Sequence, residues 1–210
     1  MAEFPIDPAR TALISVDMQR CFVEGTPLAA PDGPALARRL NELMTTCREA
    51  GMLVVHTRGV VAADGSNLGT IPELVPPFVT AFYTEGAPTA EIHEALTVTE
   101  DDWIVDKPRY GAFTGTDLES ALHGRGIETV VIGGIATNIC CETTAREAGQ
   151  LDFHVVFLSD GTATRTMNGV PAETLQQATC ASLGMVFAEI ATIDQVRAKI
   201  GAAAAVPATS

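Results

Sequence analysis

The chain has 210 residues, 47% of them apolar, and a formal net charge of −13. That length suits one domain, 1–210, with a sizeable core. So acidic a surface is poorly matched to phosphate backbones, and no nucleic-acid partner is expected. No run approaches the roughly 20 apolar residues of a membrane span, so no membrane partner is expected. Met1 to Asp7 lacks a basic region followed by an apolar stretch, so the sequence predicts no signal peptide and, by default, a cytoplasmic location. The five cysteines are odd in number and irregular in spacing, which suggests neither a disulfide framework nor a zinc site.

Thr11 to Val16 reads as the first strand, closed by Asp17. A carboxylate there is either functional or an Asx-turn residue. A helix is expected from about Pro34 to Ala50, with Leu36, Leu40, Leu43, Met44 and Cys47 on its core face and Gly51 as C-cap. Met52 to Val55 is the second strand, ending at His56-Thr-Arg58. His56 with Asp64 alone does not make a ligand set, so it reads as a hydrogen-bonded strand-end residue and no metal is expected. No role is assigned to His93, His123 or His154. Residues 59 to 102 form a long crossover, with a helix expected only over Thr89 to Leu96; such a crossover is usually a cap or an interface element.

Trp103 to Asp106 is the third strand, followed by Lys107-Pro-Arg-Tyr-Gly-Ala-Phe113. A lysine directly after an apolar strand is either a solvated residue or one placed at the sheet edge for use. Thr116 or Asp117 caps a helix running through Gly124. Val130 to Ile132 is a β-branched run that reads as a buried parallel strand. Gly133 and Gly134 allow a tight turn, Thr137 or Asn138 caps the next helix, and Ile139 to Ala148 is helical. Cys140 and Cys141 therefore fall in a helix's first turn. There a thiolate is stabilised and the thiol pKa is expected to be lowered. Phe153 to Leu158 is the fifth strand, ended by a polar turn at Ser159-Asp-Gly161. Pro171 to Leu183 is a helix, Met185 to Ile190 the sixth strand, and Asp194 the cap of a last helix. The alanine-rich residues 201–210 are expected to fray. Strands alternating with helices argue an α/β domain with a parallel sheet.

Gly134-Ile-Ala-Thr-Asn-Ile-Cys140 resembles the active-site signature of the isochorismatase-like cysteine hydrolases, a superfamily that includes nicotinamidases. Asp17-Met-Gln with Phe22 matches the same family. Lys107-Pro-Arg-Tyr-x-x-Phe113 is closest to its ureidoacrylate amidohydrolase and N-carbamoylsarcosine amidase-like branch. The resemblance implies a three-layer Rossmann-like fold with a six-stranded parallel sheet in order 3-2-1-4-5-6. It implies Asp17, Lys107 and Cys140 as the catalytic residues, with the nucleophile at Cys140 rather than Cys141. It also implies a cis bond between Ile135 and Ala136, which turns the Ala136 N–H into an oxyanion hole shared with the Cys140 N–H. Phe22, Tyr110 and Phe113 become pocket residues.

The expected reaction is cleavage of a C–N bond in a small amide, ureide or carbamoyl compound through a thioester, without a cofactor. A homo-oligomer, dimer or tetramer, is expected. Arg58 and Arg109 each follow a strand end. An arginine there can hold a carboxylate through two hydrogen bonds, so an anionic substrate is expected, with Arg109 the preferred anchor. Two alternatives stand beside this reading. One is hydrolysis of an isochorismate-type vinyl ether, which needs no thiol. The other is a non-catalytic small-molecule binding module on the same fold.

Overall fold

The computed structural model describes residues 3–204. In chain order it contains β1 (Thr11–Val16), α1 (Arg20–Val23), α2 (Gly33–Glu49), β2 (Leu53–Gly59), α3 (Ile71–Leu74), α4 (Pro77–Thr80), β3 (Trp103–Lys107) and α5 (Leu118–Gly124). Next come β4 (Thr129–Ile135), a π-helical turn (Thr137–Cys141), α6 (Glu142–Gln150), β5 (His154–Ala163), α7 (Ala172–Val186), β6 (Glu189–Ala191) and α8 (Ile193–Ala204). The six strands form one parallel sheet in the order β3-β2-β1-β4-β5-β6, the order the family resemblance implies.

Alternation along each strand feeds two cores. Leu13, Val54, Val131 and Val156 face one side, where they pack with the Leu36, Leu40, Leu43, Met44 and Cys47 stripe of α2. Ala12, Ile14, Val130, Ile132 and Phe157 face the other, with Leu118 and Leu122 of α5, Ala145 and Ala148 of α6, and Leu183 of α7. Every residue of β1 and β4 is buried, as expected of central strands covered on both faces. Parallel connections place all the strand carboxyl ends on one edge, and the strand order reverses between β1 and β4. Gly134 lies at that junction with φ of +134°, and a Cβ there would sit 2.0 Å from the Val16 carbonyl oxygen.

Several sequence expectations are corrected. The sixth strand is Glu189–Ala191, because Met185 and Val186 remain in α7, where they are 80% and 74% exposed. The apolar run there has too few buried partners to act as a strand. The fifth strand continues past Leu158 to Ala163, and its pairing with β4 shifts register between Ile132 and Gly134. Thr89–Leu96 is not a helix: at its start only a 3-10 turn, Pro88–Ala90, forms, and the crossover's other helical structure is α3, α4 and a 3-10 turn at Ala81–Tyr83. The last helix is capped by Thr192. Its Oγ1 accepts from the Gln195 N–H while Gln195 Oε1 accepts from the Thr192 N–H, a reciprocal capping box. Gly201–Ala204 is helical where fraying was expected, and the remainder of that tail lies outside the described residues.

Gly134→Ala places a methyl group against β1 in a left-handed backbone conformation. We expect it to lower the unfolding free energy by about 3 kcal/mol, read from the urea midpoint. An unchanged midpoint would show that β1 and β4 can part at this junction.

Candidate active site

Three side chains converge at the carboxyl edge of the sheet. Asp17 follows β1 with φ of +49°, a left-handed conformation that aspartate tolerates better than most residues. Its N–H is held by the carbonyl of Thr57 on β2. Lys107 ends β3, and its Nζ lies 2.8 Å from Asp17 Oδ2, with both side chains 1% exposed. β2 runs between the two strands, and Gly59, opposite Lys107 in register, leaves the space above it open to the pair.

The hydrogen-bonding capacity of this pair is used closely. The three ammonium donors of Lys107 go to Asp17, to the Arg109 carbonyl at 3.0 Å and to the Tyr110 carbonyl at 2.9 Å. The Thr57 hydroxyl donates to Asp17 Oδ1 at 2.7 Å. Burial disfavours the lysine's charge, but the attraction and hydrogen bond of Asp17, with the neighbouring Cys140 and Cys141, together outweigh it, so the Lys107 pKa is raised.

Cys140 sits in the π-helical turn after β4, where its sulfur faces the Asp17 carboxylate and the Ala136 backbone. The Ile135–Ala136 bond is cis. Thr137 and Asn138 do not cap a helix. Thr137 Oγ1 bonds Gln176, Asn138 Oδ1 accepts from Thr164, and the turn starts from Ala136 without a side-chain cap. The expected depression of the thiol pKa is not what the site produces. Burial pushes Cys140 up to about 12; Lys107 opposes this and Asp17 adds to it. The resting group is therefore a thiol beside a carboxylate. Cys141 is fully buried in the core between β4 and α6, with its pKa well above the ordinary value through burial and its neighbours Cys140 and Asp17.

Above these groups lies a pocket of about 190 Å³, mostly apolar, with Asp17, Lys107, Cys140, Phe22 and Tyr110 on its wall. Phe113 is not on it. Its ring is 7% exposed and stacks on Phe153 in the core, because the loop after Lys107 turns inward there. Arg58 is not on it either, since its guanidinium is engaged by Asp106 through two contacts and by Glu91. Arg109 does line the pocket, although its Nη1 already bonds the Asn67 and Pro108 carbonyls. Sequence reasoning missed Arg165. It lies on the pocket wall and has no ion-pair or hydrogen-bond partner among the described residues. Its signal is its place just past the end of β5 at the same edge; that end, Ala163, lies five residues beyond the Leu158 end that the sequence predicts for the strand.

His56 is buried on β2, with Nε2 3.5 Å from Asp102, and lies outside the pocket. Among the described residues, the group with metal-ligand spacing is Glu24, His93 and Glu94, also outside the pocket. His93 already bonds Glu24 and the Ala95 N–H, and Arg20 pairs with Glu94.

The architecture and this edge define a parallel α/β protein with a thiol, a carboxylate and an ammonium gathered at the switch point of its sheet. An isochorismatase domain matches residues 11–195, and the chain belongs to that family. It is 34% identical to nicotinamidase 3 of Arabidopsis thaliana over 89% of this chain and 86% of the relative. It is 28% identical to the ureidoacrylate amidohydrolase RutB of Methylobacterium radiotolerans, over 97% of this chain and 84% of the relative. The crystal structure of a cysteine hydrolase from Pseudomonas syringae pv. phaseolicola superposes with a TM-score of 0.92 at 34% identity, covering 96% of this chain and 97% of that one. The protein is thus a hydrolase acting on carbon–nitrogen bonds of small molecules. No helix among the described residues is long and apolar enough to cross a membrane.

The raised thiol pKa has a direct readout. Alkylation of Cys140 by iodoacetamide is expected to rise about tenfold per pH unit from 7 to 10, because only the thiolate reacts. Lys107→Met removes a charge that lowers the thiol pKa and should slow the reaction at every pH. A plateau near neutral pH would mean that the thiolate is already formed.

Proposed function

We propose that the protein hydrolyses a small amide, ureide or carbamoyl compound through a thioester on Cys140. The observation that carries this reading is the buried Asp17–Lys107 pair, 2.8 Å apart, with the Cys140 sulfur facing the same carboxylate. Asp17 takes the thiol proton as the sulfur attacks the carbonyl carbon. Lys107 has its donors engaged and acts through its charge, which favours the developing thiolate. The oxyanion is held by the backbone N–H groups of Ala136 and Cys140. Support for this is the Ala136 N–H, which faces the Cys140 sulfur. A single donor of this kind is worth around 3 kcal/mol in the transition state. Asp17 then protonates the departing amine. Water, deprotonated by the same carboxylate, releases the acid from the thioester.

The substrate we propose carries a carboxylate. Arg109 and Arg165 both line the pocket, and Arg165 has its full donor set available. The presence of a thiol at the site favours amide cleavage over an isochorismate-type reaction, which has no use for one.

Ammonia release over a panel of amides, ureides and carbamoyl amino acids tests the reaction. Cys140→Ala is expected to abolish turnover, whereas Cys141→Ala retains most of it, because adjacent helical residues point about 100° apart and Cys141 points into the core. An active Cys140→Ala variant would sink the assignment. For the carboxylate, Arg109→Ala and Arg165→Ala are compared on an acidic substrate and its methyl ester. Loss of a charged hydrogen bond should raise KM for the acid about tenfold or more, with the larger effect at Arg165. Equal penalties on acid and ester would remove the anchor.

A further inference from the structure

The walls of the pocket divide into two chemistries. Its polar groups are few and sit at the sheet edge. The crossover between β2 and β3 supplies an aliphatic face through Val60, Val61, Ile71, Val75 and Val79. Phe22 and Leu28, from the segment after β1, line the same pocket. Tyr83 joins them with its hydroxyl kept neutral, burial pushing its pKa up to about 12. A small polar amide needs no such wall, and these side chains would remain hydrated around it.

The wall is also fixed in place. Asn67 closes the start of the crossover on itself, its Oδ1 accepting from the Ala62 N–H and its Nδ2 donating to the Val60 carbonyl, both at 2.9 Å. Arg109 ties that loop to the lysine's loop by donating to the Asn67 carbonyl. Val61 pairs with the far end of the crossover: its N–H bonds the Tyr83 carbonyl and its carbonyl accepts from the Glu85 N–H. Gln19, just past β1, accepts from the Gly59 N–H and donates to the Ala90 carbonyl. The aliphatic surface is thus formed ahead of any ligand, and an apolar group entering it costs little ordering of the protein.

From this we infer that the group adjoining the scissile carbonyl is apolar, with the bulk of a short alkyl chain or a phenyl ring. A dry cavity of about 150 Å³ takes up benzene, and the pocket here is about 190 Å³. The inference rests on the amidohydrolase reading and adds to it the group beside the scissile carbonyl; it is independent of the carboxylate that Arg109 and Arg165 would hold elsewhere on the substrate. In the simplest case water adds across the C–N bond of R–CO–NH₂ to give the acid and ammonia, with R held by the crossover.

The test is a chain-length series of acetamide, butanamide and hexanamide, read as ammonia release. Each buried methylene is expected to raise kcat/KM by about fourfold, so that hexanamide, four methylenes longer, exceeds acetamide by roughly 250-fold. Val75→Phe and Val79→Phe, checked for folding by circular dichroism, fill the cavity and should collapse that ratio toward one. A flat series with measurable ammonia release overturns the apolar inference and leaves the amidohydrolase reading standing. If no amide in the series releases ammonia, the same amides are titrated calorimetrically into the Cys140→Ala protein. Binding that tightens with chain length then upholds the apolar subsite, and equal weak binding overturns it.

Discussion

Much of the structure depends on one buried ion pair. Removing Asp17 and Lys107 from water is costly, and an unpaired member in that position typically destabilises a protein by about 3–5 kcal/mol. The protein offsets this by filling every donor of Lys107 and by giving Asp17 the Thr57 hydroxyl. That arrangement requires three strands in register. Asp17 must follow β1, Lys107 must end β3, and β2 between them must present Thr57 to Asp17. The cores on the two faces of the sheet serve this alignment, since a slip of one residue would turn either charged group away from the edge.

Burial is the main reason the Cys140 pKa is raised, with Asp17 of the same pair adding to it and Lys107 opposing it. A helix start and a nearby lysine would ordinarily release the thiol proton. Here burial opposes that release, and the carboxylate that must receive the proton repels the charge that its loss would leave behind. The proton is therefore stored on sulfur until a carbonyl is in reach. In the proposed mechanism such a site has little reactivity toward passing electrophiles and expresses it only with a bound acyl group, whose developing charge would be met by fixed N–H donors.

The strands at the centre of the sheet were legible in the sequence because β1 and β4 are buried on both faces and read as continuous apolar runs. A place at a strand's end marks Asp17 and Lys107 in the sequence, but only the motif resemblance joins them with Cys140 as a set, because position alone leaves each residue a structural reading. Legibility failed where tertiary partners overrode local pattern. Met185 and Val186 look like strand and stay helical, while Phe113 looks like a pocket aromatic and packs on Phe153. The thiol pKa was misjudged because helix position is visible in a sequence and burial beside Asp17 is not. The aliphatic wall was hidden for a related reason. Residues 59–102 lack any period, and only the folded crossover brings Val61 and Val79 to the same pocket.

Glu147 links the two halves of the site from behind. Its carboxylate, on the helix that follows Cys140, accepts from the Phe113 N–H and the Thr114 hydroxyl in the loop that follows Lys107. It occupies the space a side chain at Gly111 would fill, since a Cβ there would lie 2.1 Å from Glu147 Oε2. Thr144 makes a second link, bonding both the Cys140 carbonyl and the Ala112 N–H. Neither position 111 nor 147 can therefore drift alone. A side chain at 111 evicts the acid, and a shorter acid strands two polar groups of the loop. Descendants of this sequence should keep or exchange the two together, so that the distance between sulfur and ammonium is inherited through a pair of residues that touch neither.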